Sequence, residues 1–273
     1  MGTAALSSRI RIGDIDIAYR IVGRGKPVLL LHGLACGQRM WFHQRRALSG
    51  RYAVITYDQR GHGFSDAPED PARYSAGHLL HDLERLVDAL NLDKVALLGF
   101  SLGGGPALAF AARRPERLSH LILADVGAGA DDAWRTHWLA RRWVGFAERT
   151  QWDELVPDML RSEFFKAYSN RGARYRCHMG GLIRRTPLVG LRHTLSEVLG
   201  KRNSLFRMKS TLRSIKVPTL VMLGQHDYVC RNAARLLVDT IPDATLHKIE
   251  GAGHMAPLEQ PGQFSDALAA FVG

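Results

Sequence analysis

Long apolar runs, paired cysteines and targeting signals are what this sequence of 273 residues lacks. No apolar run approaches the roughly 20 residues that a membrane-spanning helix needs, so we expect no membrane partner. The three cysteines, Cys36, Cys177 and Cys230, are an odd and sparse set, which indicates a reducing compartment rather than a disulfide framework. Residues 1–11 lack the basic and apolar regions of a secretory signal. These absences together predict a cytoplasmic protein.

Positive charge, by contrast, is abundant and unevenly distributed. The formal net charge is +11, and residues 127–213 alone hold 17 Lys and Arg against 8 Asp and Glu. A basic balance raises nucleic acid as a partner, but no recognised nucleic-acid-binding motif accompanies the charge, and we expect no such partner. Two interpretations of the segment stay open: a solvated helical surface, or a rim that attracts an anionic substrate.

The two outer parts of the chain alternate short apolar strands with amphipathic helices. Residues 9–22 alternate apolar and polar side chains about Gly13, which predicts a β-hairpin. The remaining predicted strands are 27–31, 52–57, 95–100, 118–126, 218–224 and 244–249, and the predicted helices are 79–92, 103–114 and 263–272. Strands alternating with helices over short connections favour an α/β fold, with a mostly parallel sheet covered by helices on both faces.

The middle of the chain breaks this pattern. Residues 127–213 show no clear strand, moderate helical periodicity and four of the five tryptophans. We predict an inserted helical cap over 127–213, on an α/β core formed by 1–126 and 214–273. The cap would roof an apolar pocket, whose expected lining residues are Phe100, Trp134, Trp138 and Met255.

A sharp strand-to-helix turn is predicted at Gly99-Phe100-Ser101-Leu102-Gly103, which matches the pattern Gly-x-Ser-x-Gly. Glycines are needed there because side chains at the flanking positions would clash when a strand turns at once into a helix. The turn presents the hydroxyl of Ser101 above the carboxyl edge of the sheet, at a helix N-terminus that favours negative charge. Ser101 is therefore the predicted nucleophile.

A serine hydroxyl needs a neighbouring base, and the base needs an orienting acid. Among the histidines, His254 lies in a glycine-lined loop between the last predicted strand and the final helix. Asp227 follows the predicted strand 218–224, so it can accept the imidazole N–H and fix the tautomer. The chain order Ser101, Asp227, His254 is the order expected for such a hydrolase. Asp125, which also ends a strand, is the alternative acid.

Metal and cofactor sites are not predicted. His78 and His81 share a helix face, but no third ligand has matching spacing. The glycines between 99 and 105 lack the Lys-Ser/Thr of a phosphate-binding loop. We therefore expect neither a metal nor a cofactor.

Four separated motifs together resemble those of the α/β-hydrolase fold family over essentially the whole chain. They are His32-Gly33-Leu34, the segment Asp58–Ser65, the turn at Ser101, and Gly253-His254. The resemblance implies that the backbone N–H groups of Leu34 and Leu102 form an oxyanion hole, that His32 is structural, and that 58–65 is a packed turn near the site. A serine nucleophile places the chain in the serine branch, similar to carboxylesterases and to 3-oxoadipate enol-lactonase-like enzymes.

The function that these motifs imply is hydrolysis of a carboxylic ester through an acyl-enzyme. The partner would be a small or medium ester or lactone, and the basic cap suggests a substrate that bears a carboxylate. Two alternatives stay open. One is hydrolysis of an enol-lactone or of a carbon–carbon bond in a ring-cleavage product, although the loop after His32 is less glycine-rich than is usual for the latter. The other is a ligand receptor that keeps the same three residues.

Overall fold

A computed structural model describes residues 8–127 and 133–273, and all structural statements below refer to these residues. The strands are β1 Ser8–Ile12, β2 Ile15–Val22, β3 Lys26–Leu31, β4 Tyr52–Tyr57, β5 Val95–Phe100, β6 Leu118–Ala124, β7 Thr219–Gly224 and β8 Ala244–Ile249. The helices are α1 Phe42–Leu48, α2 Ala76–Ala89, α3 Gly104–Arg113, α4 Ala133–Arg149, α5 Trp152–Arg161, α6 Lys166–Ser169, α7 Ala173–Arg184, α8 Leu188–His193, α9 Lys209–Ser214, α10 Arg231–Thr240, α11 Ala256–Glu259 and α12 Pro261–Val272. None of them is long and apolar enough to cross a membrane.

All eight strands form a single mixed sheet in the order β1-β2-β4-β3-β5-β6-β7-β8. β1 and β2 form the predicted antiparallel hairpin, and β2 also pairs antiparallel with β4. The other six strands, β4, β3, β5, β6, β7 and β8 in the order of the sheet, run parallel to one another. The predicted α/β fold with a mostly parallel sheet is confirmed, and the carboxyl ends of β3, β5, β6 and β7 meet at one edge of the sheet.

Alternate side chains of the central strands supply two apolar cores, one on each face of the sheet. In β3, Val28 and Leu30 belong to one core, whereas Leu29 and Leu31 belong to the other. This is the period-2 geometry of a strand that is buried on both faces. Because α1 and α12 contribute to the first core and α2, α3 and α10 to the second, the central strands are covered on both sides.

Helices α4 to α8 lie between β6 and β7 in the chain, where the cap was predicted, and no strand occurs within residues 133–213. The last turn of α8 continues as a π-helical segment over Thr194–Leu199. Helix α9, at the end of the predicted cap, contacts α3 and α10 of the core. The last part of the predicted cap therefore packs against the core. The predicted residues 128–132 of the cap lie outside the described residues.

The segment 58–65 is a packed turn, as its resemblance implied. The buried Asp58 carboxylate accepts hydrogen bonds from the backbone N–H groups of Gln38, at 2.6 Å, and of Phe64, at 3.0 Å. Ser65 Oγ donates to the Asp58 carbonyl. Asp58 thus connects the turn after β4 to the loop after β3, beside the carboxyl edge of the sheet.

Candidate active site

The turn between β5 and α3 forces Ser101 into an unusual backbone conformation. Ser101 has a φ of 50°, in the left-handed region that non-glycine residues rarely adopt. A Cβ at Gly99 would lie 2.5 Å from the carbonyl oxygen of Gly103 and 2.7 Å from Ala107 Cβ. Only glycine therefore permits strand and helix to approach this closely, and the turn lifts the Ser101 hydroxyl above the edge of the sheet.

Loops from three different strand ends bring the three predicted residues together. Ser101 Oγ lies 3.0 Å from His254 Nε2, and His254 Nδ1 lies 2.8 Å from Asp227 Oδ2. His254 and Asp227 are both buried, whereas Ser101 is partly open. With the proton on Nδ1, the imidazole donates to Asp227, and its Nε2 is free to accept the proton of Ser101.

Asp227 is held as an anion by its surroundings. Its second oxygen, Oδ1, accepts the backbone N–H groups of Val229, at 3.1 Å, and Cys230, at 3.2 Å. Burial acts to raise the pKa of Asp227, but the electrostatic interaction and hydrogen bond with His254, together with the hydrogen bonds to Cys230 and Asp125, outweigh burial, so the pKa lies below its usual value. An ionised Asp227 is the state that can orient and stabilise an imidazolium.

Asp125, the alternative acid, lies beside Asp227 instead of against the imidazole. Its Oδ1 accepts the backbone N–H of Gly224 at 2.8 Å, and its buried Oδ2 has no hydrogen-bond donor among the described residues. Burial and then the negative charge of Asp227 raise the pKa of Asp125 well above its usual range. We infer that Asp125 keeps its proton and donates it in a hydrogen bond to Asp227, with which it interacts directly.

Two further side chains that sequence reasoning missed support the histidine loop. The buried Glu259 accepts the backbone N–H groups on either side of His254, those of Gly253 at 2.9 Å and Met255 at 3.0 Å. Cys230 Sγ lies 3.7 Å from His254 Nδ1 and donates to the Asp125 carbonyl. The sequence held a weak indication of the role of Glu259, because this acidic residue follows the apolar run 255–258. It held no indication of the role of Cys230.

Asp227, Cys230 and His254 are also close enough together to be considered as metal ligands. Burial, above all, and then the negative charge of Asp227 raise the pKa of the Cys230 thiol well above its usual value. A thiol must lose its proton to bind a metal, and His254 Nδ1 is already bonded to Asp227. The donor set therefore suits a hydrogen-bonded relay better than a metal centre.

The loop after β3 passes directly over the nucleophile. A Cβ at Gly33 would lie 3.3 Å from Ser101 Cβ and 2.8 Å from the Phe100 ring, so only glycine fits there. Leu34 and Leu102, whose N–H groups were predicted as the oxyanion hole, both line the same cavity as Ser101. The neighbouring His32 is fully buried and accepts the Gln59 N–H at Nε2, and burial lowers its pKa to about 4. His32 is therefore neutral, and its Nε2 atom already accepts a hydrogen bond within the protein.

A small, mostly apolar cavity of about 50 Å³ opens at Ser101 and His254. Phe100 and Met255, two of the four residues predicted to line the substrate pocket, lie in its wall. The Phe164 ring, which was not predicted, lies 5.0 Å from the His254 ring. Apart from His254, the ionisable side chains of the lining are Cys36 and Arg202, and burial lowers the pKa of Arg202. The cavity thus combines an apolar wall with one guanidinium group.

The prediction for Trp134 and Trp138 was wrong. Their side chains are 68% and 55% exposed and line a separate surface groove, not the cavity at Ser101. Trp143 of the same helix is buried and lines the cavity. At 3.6 residues per turn, Trp134 and Trp138 share one face of α4, and Trp143 lies on nearly the opposite face. Tryptophan content alone could not show which face pointed inward.

The fold and the hydrogen-bonded serine, histidine and aspartate define the class of protein. The sequence profile of the α/β-hydrolase fold matches residues 26–192, more than half of the chain. The chain belongs to the α/β-hydrolase fold family, and the resemblance predicted from its motifs is confirmed.

Individual relatives agree with this assignment over nearly the full chain. The putative carbamate hydrolase RutD of Azorhizobium caulinodans is 28% identical over 268 residues, which cover 96% of each chain. A solved hydrolase structure from Pseudomonas aeruginosa PA01 superposes with a TM-score of 0.87 at 27% identity, covering 99% of this chain and 100% of that one. A thermophilic esterase from Thermogutta terrifontis, solved with malate bound, gives a TM-score of 0.85 at 28% identity, covering 97% and 98%.

Proposed function

We propose that the chain is a serine hydrolase that cleaves a carboxylic ester through a covalent acyl-enzyme. That it is an ester-acting hydrolase follows from its family and from relatives that are hydrolases and esterases. The observation that carries the finer proposal is the continuous relay from Ser101 Oγ through His254 to Asp227, at 3.0 Å and 2.8 Å, at the mouth of an apolar cavity.

In the first half of the proposed reaction, Ser101 Oγ attacks the acyl carbon while its proton passes to His254 Nε2. Asp227 stabilises the resulting imidazolium through the Nδ1–H. The carbonyl electron pair moves to oxygen, and the N–H groups of Leu34 and Leu102 are proposed to bind this oxyanion. Loss of one such donor costs about 3–4 kcal/mol of transition-state stabilisation. Collapse of the intermediate expels the alcohol, which takes the proton from His254 Nε2.

In the second half, a water molecule replaces the alcohol. His254 Nε2 accepts a proton from this water as its oxygen attacks the acyl carbon of the acyl-enzyme. The same N–H groups bind the second oxyanion, and Ser101 regains its proton from His254 as the carboxylic acid departs.

We further propose that residues 127–213 act as a cap that restricts the acyl group. Side chains from α4 and from the segments that follow it line the same cavity as Ser101, among them Leu139, Trp143, Phe164 and Leu195. A volume of about 50 Å³ has room for only a few water molecules. Short acyl groups therefore fit this cavity without movement of the cap, and long ones do not.

Arg202 supports a substrate that carries a carboxylate. A guanidinium group binds a carboxylate with two parallel hydrogen bonds, and Arg202 lines the cavity in which the acyl group would lie. The related Thermogutta esterase, with malate bound in its solved structure, holds a dicarboxylate. We propose that Arg202 pairs with a free carboxylate of the substrate, as in a dicarboxylic acid monoester.

The first test is turnover of p-nitrophenyl esters of increasing acyl length by the wild type and by Ser101→Ala. We expect many turnovers with the shortest acyl chains, a decline with length, and loss of turnover in Ser101→Ala. The surface variant Trp134→Ala is the control for the cavity, and its acyl-length profile should match the wild type. Multiple turnovers that survive in Ser101→Ala would overturn the serine mechanism.

The second test compares monomethyl succinate with methyl butyrate in the wild type and in Arg202→Met, which keeps the apolar stem. We expect Arg202→Met to lower kcat/KM for monomethyl succinate at least about tenfold, the equivalent of one hydrogen bond to a charged group, and to leave methyl butyrate nearly unchanged. Arg207→Met, an exposed change in the same segment, is the matched control. Equal losses for both esters would contradict the carboxylate pairing.

Lactone or carbon–carbon bond hydrolysis is the second candidate, because the same serine relay serves both reactions. A wild-type protein that is inert to every ester but labelled at Ser101 by a fluorophosphonate would favour it. A single slow round of turnover would instead favour a ligand receptor.

A further inference from the structure

A further depression, which we call the arginine groove, lies between the core and helix α7. Its defining residues are Arg9, Arg20, Arg39, Arg45 and Arg185. The groove has a volume of about 820 Å³, and its lining includes no Asp or Glu and none of the residues of the proposed ester site. A concave surface with five guanidinium groups and no carboxylate in its lining has a positive potential, which attracts anions.

Most of this positive charge is not neutralised within the protein. Arg9 is paired, because its Nη2 lies 2.6 Å from Asp66 Oδ1. Arg20, Arg39 and Arg185 form no salt bridge within residues 8–127 and 133–273. The buried Nε of Arg20 has no hydrogen-bond acceptor among these residues either. Arg20, Arg39 and Arg185 therefore carry positive charge that no salt bridge within these residues neutralises.

Within the groove, Arg20 and Arg39 act electrostatically on the buried Arg45. Arg45 is only 9% exposed, and its Nη1 donates to the Gln38 carbonyl oxygen at 2.7 Å. Burial lowers its pKa to about 10, the charges of Arg20 and Arg39 act in the same direction, and only Asp58 opposes them. The Asp58 carboxylate is already engaged by backbone and side-chain donors. An added anion would relieve this repulsion.

Two exposed aromatic rings share the groove with the arginines. Phe42 and Phe64 are 56% and 51% exposed, although Phe64 belongs to the otherwise packed turn 58–65. The guanidinium carbon of Arg39 lies 5.5 Å from the centre of the Phe64 ring, which holds this cation over an aromatic face. The rings offer a flat apolar surface next to the positive charge, so they suit a ligand with a planar apolar part.

We propose that the arginine groove binds an organic phosphate, with the phosphate among Arg20, Arg39 and Arg185 and an aromatic or apolar body against Phe42 and Phe64. A phosphate dianion matches several guanidinium groups better than a monoanionic carboxylate, because it has more charge and three acceptor oxygens. This site is independent of the proposed ester hydrolysis, and its lining does not include Ser101 or His254.

The test is isothermal titration calorimetry at low ionic strength, with phenyl phosphate, inorganic phosphate and benzoate as probes. Ser101→Ala protein is used so that the proposed hydrolysis does not contribute heat. We expect phenyl phosphate to bind with one-to-one stoichiometry and more tightly than either other probe, and added salt to weaken it. No saturable heat with phenyl phosphate would overturn the proposal. Equal affinity for phenyl phosphate and inorganic phosphate would refute the role of the rings.

Variants locate the binding to the groove. Arg39→Met and Arg185→Met change exposed side chains, so folding should be preserved, and each should weaken phenyl phosphate about tenfold or more. Arg24→Met, another exposed arginine, is the matched control outside the groove and should bind like its parent. Equal weakening in all three variants would show non-specific charge attraction and overturn the site. Ester hydrolysis by the same variants on a wild-type Ser101 background should be unchanged, which separates this proposal from the enzymatic one.

Discussion

Replacing Asp125 with asparagine should make the protein's stability less dependent on pH. Because burial and Asp227 raise the pKa of Asp125, the native state binds a proton that the unfolded state releases above the ordinary value of 3.8. The free energy of unfolding of the wild type should therefore fall as pH rises from this value to the raised native pKa. Asparagine has no such proton, so Asp125→Asn removes this one contribution.

The magnitude follows from a single proton. One proton of difference between the folded and unfolded states changes the free energy of unfolding by about 1.4 kcal/mol per pH unit. For each pH unit between the ordinary value of 3.8 and the raised native pKa, Asp125→Asn should therefore gain about 1.4 kcal/mol relative to the wild type. The asparagine amide can replace both hydrogen bonds, accepting from Gly224 and donating to Asp227. Its backbone also tolerates the φ of 48° observed at this position.

The measurement is urea denaturation of both proteins at several pH values, with the exposed Asp93→Asn as the control, whose difference from the wild type should stay constant. A difference between wild type and Asp125→Asn that does not change with pH would refute the assignment of the proton to Asp125. Ester hydrolysis should persist in Asp125→Asn, because Asp227 keeps its donor. It should fall in Asp125→Ala, which leaves both the Gly224 N–H and Asp227 without that partner.

Two further substitutions test the packing that positions the site. Gly99→Ala places a Cβ 2.5 Å from the Gly103 carbonyl oxygen, so the change should cost about 1–3 kcal/mol of stability and lower kcat. An unchanged free energy of unfolding in urea together with an unchanged kcat would contradict this expectation. Arg60→Met leaves the buried Asp82, 2.8 Å from Arg60 in the wild type, without its partner and should cost about 3–5 kcal/mol. The double change with Asp82→Leu should recover part of that loss, and a double variant less stable than Arg60→Met would argue against the pair.

Much of the fold could be predicted because its signals are local. Alternating apolar residues marked the hairpin of β1 and β2, and short β-rich runs marked β4, β5 and β8 with their observed bounds. A strand that is buried on both faces and a helix with one apolar stripe each impose their own periodicity on the sequence. Boundaries were less well predicted where the chain changes direction, as at α2, which begins with Ser75 as its N-cap.

The residues of the candidate site were predictable for a related reason. Ser101, Asp227 and His254 each follow a strand, and parallel strands place their carboxyl ends at one edge of the sheet. Asp125 follows a strand too, so the local pattern favoured Asp227 but left Asp125 open as the alternative. That choice depends on which loop reaches Nδ1 of His254, and this is a distance between remote parts of the chain.

The sequence by itself determined the order of strands and helices, the turn that presents Ser101 and the family, because each of these depends on residues that are close together in the chain. Only the tertiary structure decided that Trp143 and not Trp134 faces the cavity, that Asp125 lies beside Asp227, and that arginines from β1, β2 and the end of α7 share one groove. The rotation of a helix about its axis and the approach of distant loops are decided by packing, which local sequence patterns do not encode.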